Sequence, residues 1–276
     1  MRLPQPSALK KLFPLPQHKY AIQSSLLGDA SVYPWSNLGL WQSNDLYVDA
    51  ACRLADHLAQ SIDLNSNDVL LDLGCGQGAS LLHWQQQYQV KQVIGVELQS
   101  QHVNHLQALN STQCQVLQGS FLNLNSLSLA HPISAVICVD AAYHVPVVDF
   151  LSQVHAVLNS KGRVAFHTLV LAPEALSLTR VAWQKLALLL KAADVDLAQL
   201  FQTEQLTGLM QASGWQQVYI DDLSEHVFAG FADYIEHRAI GWGSVDALKI
   251  QMTAKLCRRL YADGLIRYVA VRAEKV

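Results

Sequence analysis

The residues best suited by type and spacing to chemistry lie in one stretch, Leu71-Asp72-Leu73-Gly74-Cys75-Gly76-Gln77-Gly78-Ala79-Ser80. An apolar run ends in a carboxylate, three glycines follow at every second position, and a helix-like segment begins. A strand, a tight turn and a helix start bring backbone N–H groups close to a ligand. Glycine suits the turn because a Cβ would block the ligand or force strained backbone angles. A second carboxylate, Glu97, ends the next apolar run, Val93-Ile94-Gly95-Val96. It stands about 20 residues on, where an acid suits the two hydroxyls of an adenosine ribose.

Two cofactor classes use this geometry. Gly74-Cys75-Gly76-Gln77-Gly78-Ala79 satisfies the dinucleotide pattern G-x-G-x-x-A. Asp72 opposes that reading, because a carboxylate two residues before the first glycine repels a pyrophosphate. S-adenosylmethionine (SAM) carries a sulfonium and an ammonium instead, and an acidic strand end suits both. Here the chain resembles the class I SAM-dependent methyltransferases, whose first motif reads much like Leu71 to Gly78. The resemblance implies cofactor contacts from Asp72, Gly74, Cys75, Gly76, Gly78, Glu97 and Leu98, with S-adenosylhomocysteine as product.

The similarity runs over roughly 37–274. Val139-Asp140-Ala141-Ala142-Tyr143-His144-Val145 resembles the fourth-strand motif of the small-molecule subgroup, which methylates quinones, sterols, sugars and small amines. Phe150 through Arg163, Ser213-Gly214-Trp215 and Tyr268 to Ala273 resemble later motifs, and Asn37-Leu38-Gly39-Leu40-Trp41 an upstream one. Asp140 and Ala141 are thereby expected beside the cofactor, since open α/β sheets bind ligands at the carboxyl ends of their strands. His144 is a candidate general base for a hydroxyl acceptor or a wall of the pocket, and Tyr143 shares that ambiguity. One departure stands out: where family members place Gly-Asp after the third strand, this chain reads Gly119-Ser120-Phe121. Ser120 offers adenine a neutral partner, and Phe121 a ring to stack on.

Aromatics upstream (Tyr20, Tyr33, Trp35, Trp41) either close over the sulfonium and substrate or clasp the N-terminal arm to the core. Trp183 and Trp242 are expected in an acceptor pocket, with helix packing as the other reading. His102 and His105, three apart on a helix, are expected on the surface.

These residues need a scaffold. Apolar residues recurring every four from Leu46 to Ile62 mark one helix. Strands at about 68–73, 92–97, 113–118, 134–140 and 162–171 then alternate with helices at 78–88, 99–109 and 146–158, the sign of a parallel α/β sheet. A long apolar helix is read within 174–200, a helix at 203–213, a strand at 215–221, helices at 228–240 and 244–262, and a last strand over 265–272. With the resemblance, this predicts a Rossmann-like α/β fold: a seven-stranded, mostly parallel sheet with helices on both faces and a helical lid. Residues 1–65 form an arm and helical cap; the core, 66–276, carries lid insertions at about 172–200 and 224–262.

Composition bounds the rest. The 276 residues are 51% hydrophobic and 15% charged, ample for a core. The net charge of −3, with no basic cluster, argues against nucleic acid as a partner. The five cysteines form no C-x-x-C pair, so neither a disulfide framework nor a metal site is expected. No signal peptide or membrane span is read, which makes the cytoplasm the default. The expected activity is methyl transfer from SAM to a small-molecule acceptor, by a monomer or homodimer. A binding-only partner subunit and a nucleic-acid or protein methyltransferase are the alternatives, although the N/D-P-P-Y motif of amino-group nucleic-acid methylation is absent.

Overall fold

The computed structural model describes residues 23–129, 131–238, 240 and 243–276. Seven strands make one sheet in the order β3-β2-β1-β4-β5-β7-β6. They are β1 (Val69–Leu73), β2 (Gln92–Glu97), β3 (Cys114–Gln118), β4 (Ile133–Cys138), β5 (Leu158–Leu171), β6 (Trp215–Asp222) and β7 (Ile266–Lys275). β1 to β5 pair in parallel, and β7 runs antiparallel to both β5 and β6. The parallel half is buried on both faces, so its strands read as unbroken apolar runs, as in Val69-Leu70-Leu71.

Alternate strand residues feed two cores, because side chains along a strand point to opposite faces. Leu70, Val93 and Ile137 pack with α1 (Tyr47–Ser61), α2 (Ala79–Gln87) and α3 (Ser100–Leu106). Leu71, Ile94 and Val136 pack with α4 (Val147–Val157) and, farther along the sheet, α6 (Thr203–Ala212). α5 (Arg180–Lys191) lies between β5 and β6; α7 (Gly230–His237) and α8 (Val245–Asp263) lie between β6 and β7.

The strand order reverses between β1 and β4. Connections from β1 lead outward to β2 and β3, whereas β4 leads to β5, leaving a crevice at the two carboxyl ends. Over it runs the arm of residues 23–46. Asp29 fixes the arm's shape by accepting the Ser31 and Trp35 backbone N–H groups at 3.1 and 2.7 Å. Asn37 ties it to α1, donating to the Ala51 carbonyl at 3.0 Å. Gly230 lets the arm dock on α7: a Cβ there would stand 2.4 Å from Trp41.

Two readings are corrected. The long helix within 174–200 is three pieces: a 3-10 turn at Pro173–Ser177, α5, and a second turn at Leu197–Gln199. Thr179 caps α5 through the Ala182 N–H, and Asp194, at φ 59°, turns the chain out of helical geometry. The helix at 228–240 begins earlier, as a π-helical segment over Glu225–Ala229, and its α-helical part ends at His237.

Candidate active site

β1 delivers the glycine turn to the crevice. Gly74, Gly76 and Gly78 all have left-handed backbones, at φ 76°, 54° and 95°. Side chains at these sites would be strained and crowded: a Cβ on Gly76 would stand 3.0 Å from Ser36 Oγ, and one on Gly74 3.1 Å from Ala141 Cβ. The turn and the arm enclose a small cleft of about 30 Å³, lined by Trp35, Ser36, Gly74, Cys75 and Val139 among others. Cys75 is buried, and its Sγ occupies the space beside Gly95, so only its backbone can face a ligand.

Glu97 closes the far side. Its carboxylate accepts the Gly76 N–H at 3.1 Å and the Gln99 N–H at 2.8 Å. The acid thus holds the turn in shape and keeps lone pairs for a diol. His102 is not a surface residue: its Nδ1 lies 3.7 Å from Glu97 Oε1, because α3 starts just after β2 and folds its first turn over the carboxylate. His105 is exposed, as expected, and meets the Val32 carbonyl at 3.0 Å. Leu98 is 63% exposed beside Glu97. Ser120 Oγ accepts the Leu122 N–H at 3.1 Å, and Phe121 packs edge-on against Phe150 while approaching the Gly74 turn.

Two carboxyls flank the crevice, Asp72 buried and Asp140 half-buried. Asp72 accepts the Trp84 indole N–H at 2.7 Å. Burial pushes it up to about 6, against the hydrogen bonds from Ser80 and Trp84. Asp140, just past β4, has φ 53°, which ends the strand and turns its side chain inward. Its Oδ1 accepts the hydroxyls of Tyr143 and Tyr268 at 2.7 and 2.8 Å, and its Oδ2 the Leu38 N–H at 2.8 Å. Burial raises it to about 6 as well, the three donors pulling the other way. Its own N–H donates to His167 Nδ1 at 3.2 Å, and burial keeps that imidazole well below its ordinary range, hence neutral.

A model of a family described as "Methyltransferase domain" matches residues 47–220, the stretch that carries the glycine turn, Glu97 and Asp140. The chain belongs to that family. Among curated proteins no sequence matches it. The methyltransferase is similar in structure to the cyclopropane synthase MmaA2 from Mycobacterium tuberculosis, at 19% identity over 94% of this chain and 96% of that one, with a TM-score of 0.71. It is similar to geranyl diphosphate C-methyltransferase from Streptomyces coelicolor A3(2), at 17% identity over 97% and 93%, TM-score 0.65. A putative sarcosine dimethylglycine methyltransferase from Galdieria sulphuraria superposes at TM-score 0.70, with 16% identity over 91% and 96%. Identities this low establish a shared fold.

On the β4–β5 side the methyltransferase holds a second, larger cavity of about 600 Å³. Tyr143 and His144 stand in its wall with Val147, Leu169, Leu188 and Phe201; Lys191, Asp194 and Asp196 supply charge. The His144 ring lies 4.5 Å from that of Tyr143, and its Nδ1 is 3.4 Å from the Asp194 carbonyl. The upstream aromatics divide. Tyr33 and Trp35 stand at the glycine turn. Trp41 is buried in packing, stacked on Tyr234 at 4.3 Å, and Trp183 is half-buried against the core; neither lines the cavity. Tyr20 and Trp242 lie outside the described residues. Sequence reasoning missed Tyr268 and His167, which no local motif ties to Asp140.

Proposed function

We propose that this methyltransferase moves the methyl group of SAM onto a mainly apolar small-molecule acceptor held in the larger cavity. One observation carries the reading: the cleft at the glycine turn and the larger cavity are both walled by the segment that leaves β4, Val139 lining the first and Tyr143 and His144 the second. The glycine turn fits the cofactor, since Gly74, Gly76 and Gly78 hold left-handed backbones and leave the turn bare of side chains. When bound, SAM supplies a methyl group already activated by its sulfonium.

The chain's residues then have distinct tasks. Backbone amides of the turn and the Glu97 carboxylate hold the nucleoside and orient it. Asp72 and Asp140 set negative charge around a cationic ligand, which in turn favours their ionised forms. Phe121 and Ser120 meet the adenine. The arm, with Tyr33 and Trp35, keeps water from the cleft, and the segment 172–200 serves as a lid over the cavity. His144, in the cavity wall, takes the proton of a hydroxyl acceptor onto its ring. The apolar wall formed by Val147, Leu169, Leu188 and Phe201 favours a hydrophobic body, which leaves positioning in a dry site as the main source of rate.

No described helix is long and apolar enough to cross a membrane. All five cysteines are free, which suits a reducing compartment such as the cytoplasm. The test is thermal unfolding with ligands. SAM and S-adenosylhomocysteine should raise the Tm by mass action while NAD leaves it unchanged. Stabilisation by NAD alone would overturn the reading.

A further inference from the structure

Away from the crevice, α1 and α2 bring together three side chains of mixed chemistry. Cys52 and Asp56 stand one turn apart on α1, and His83 reaches them from α2. Cys52 Sγ lies 3.5 and 3.7 Å from the two ring nitrogens of His83 and 3.8 Å from Asp56 Oδ2. His83 Nε2 and Asp56 Oδ1 share a 2.6 Å hydrogen bond, and the Tyr88 hydroxyl donates to the same Oδ1 at 2.7 Å.

We propose that Cys52, Asp56 and His83 bind one divalent transition-metal ion of the zinc class, with water completing the coordination. A tetrahedral zinc with Zn–S of ~2.3 Å and Zn–N of ~2.0–2.1 Å sets its sulfur and nitrogen ligands about 3.5 Å apart. The sulfur distances already have that length. Only the Asp56–His83 pair is closer, and the ion would open that hydrogen bond by roughly an ångström, the length of a tetrahedral edge being the guide. The ligand set, one thiolate, one imidazole and one carboxylate, suits a borderline-soft ion better than calcium or magnesium.

Partial exposure gives the ion a way in: the side chains of Asp56 and His83 are 28% and 10% exposed. On binding, the Cys52 S–H bond breaks, its electron pair goes to the metal and its proton to solvent. A free nucleophilic triad is the competing reading of Cys–His–Asp. That reading predicts no thiolate-to-metal charge-transfer band in the experiment below. Tyr88 would orient the carboxylate ligand from outside the coordination sphere. The consequence for the fold is a clasp between α1 and α2. His83 packs edge-on against Trp35 at 5.6 Å, so the clasp backs the wall of the cofactor cleft.

Cobalt and zinc binding to the untagged, metal-stripped full chain test this. The expected result is one cobalt per chain, with the strong visible bands of a tetrahedral ion and a thiolate-to-metal charge-transfer band. Zinc should displace the cobalt and raise the Tm. Cys52→Ser should abolish the charge-transfer band. Tyr88→Phe, which keeps all three ligands, should weaken zinc binding about 10–100-fold. A wild-type chain with no charge-transfer band, or a folded Cys52→Ser chain that binds zinc as tightly as the wild type, would overturn the proposal. The readout requires no SAM and no acceptor, so it stands apart from the proposed activity.

Discussion

The two sides of the β1–β4 crevice are built by different means. On the β1–β2 side the crevice is edged by the glycine turn and one carboxylate, and the bond linking them, Gly76 N–H to Glu97, spans 21 residues. On the β4–β5 side one carboxyl, Asp140, gathers Leu38 from 102 residues upstream and Tyr268 from 128 residues downstream. The first side depends on short-range spacing. The second depends on long-range side-chain contacts.

The sharpest way to separate the two sides is to cut one function and leave the other. His144→Ala, on the cavity side, should lower kcat by about 10²–10⁴-fold for a hydroxyl acceptor while SAM affinity stays nearly intact. The wild-type rate should also fall in acid, because a protonated ring accepts no proton. The measurement is kcat against pH for both proteins. A raised acceptor KM with kcat and the pH profile unchanged would assign His144 to the wall.

Glu97→Ala makes the complementary cut. Losing hydrogen bonds to a charged group costs roughly 1.5–3 kcal/mol, about 10–100-fold in SAM affinity by calorimetry. The Gly76 N–H loses its acceptor too, so the turn itself should loosen. Unchanged affinity in the folded variant would move the ribose site elsewhere.

What was legible in the sequence follows the same division. All seven strands, the glycine turn and Glu97 were readable because apolar runs and turn residues act locally. β4 ends at Cys138, two residues earlier than its apolar run suggests, because Asp140 takes a left-handed backbone that no periodicity signals. Trp41 reads from sequence either as a pocket aromatic or as a clasp for the arm, and it packs on Tyr234, a partner that only the fold brings near. Asp194 and Asp196 enter the cavity wall where Asp194 turns the chain after α5, which the apolar run through 174–200 conceals. His102 was within reach: a residue in the first turn after a strand-ending acid can fold back over it.

The two flanking carboxyls offer a subtler comparison through pH. Asp72 and Asp140 both have folded-state values raised to about 6. Each binds more protons folded than unfolded between its ordinary value and 6. The stability it contributes is therefore complete below its unfolded pKa and lost as pH rises through about 6. Asp72→Asn keeps an acceptor for Trp84 and removes the titration. The difference in unfolding free energy, wild type minus variant, should fall by on the order of 1 kcal/mol between pH 5 and 7. A difference that does not change with pH would show that Asp72 ionises as freely folded as unfolded. The same experiment on Asp140→Asn compares the two sides directly.

The smallest expected effect concerns Ser120. Its hydroxyl caps the turn after β3 by accepting the Leu122 N–H, a task an aspartate performs equally well. Ser120→Asp should therefore fold and keep the turn. It would also restore the Gly-Asp pair of the family motif, giving the adenine amino group an ionised acceptor. Hydrogen bonds to charged groups are about twice as strong as neutral ones, so S-adenosylhomocysteine should bind about 2–5-fold more tightly. The gain should be specific to adenine: replacing the amino group by hydrogen on the ligand should erase it. Weaker binding of the adenine ligand by a folded variant would show that the residue-120 side chain points away from the base. Phe121, beside the Gly74 turn, would then remain to hold the ring by stacking.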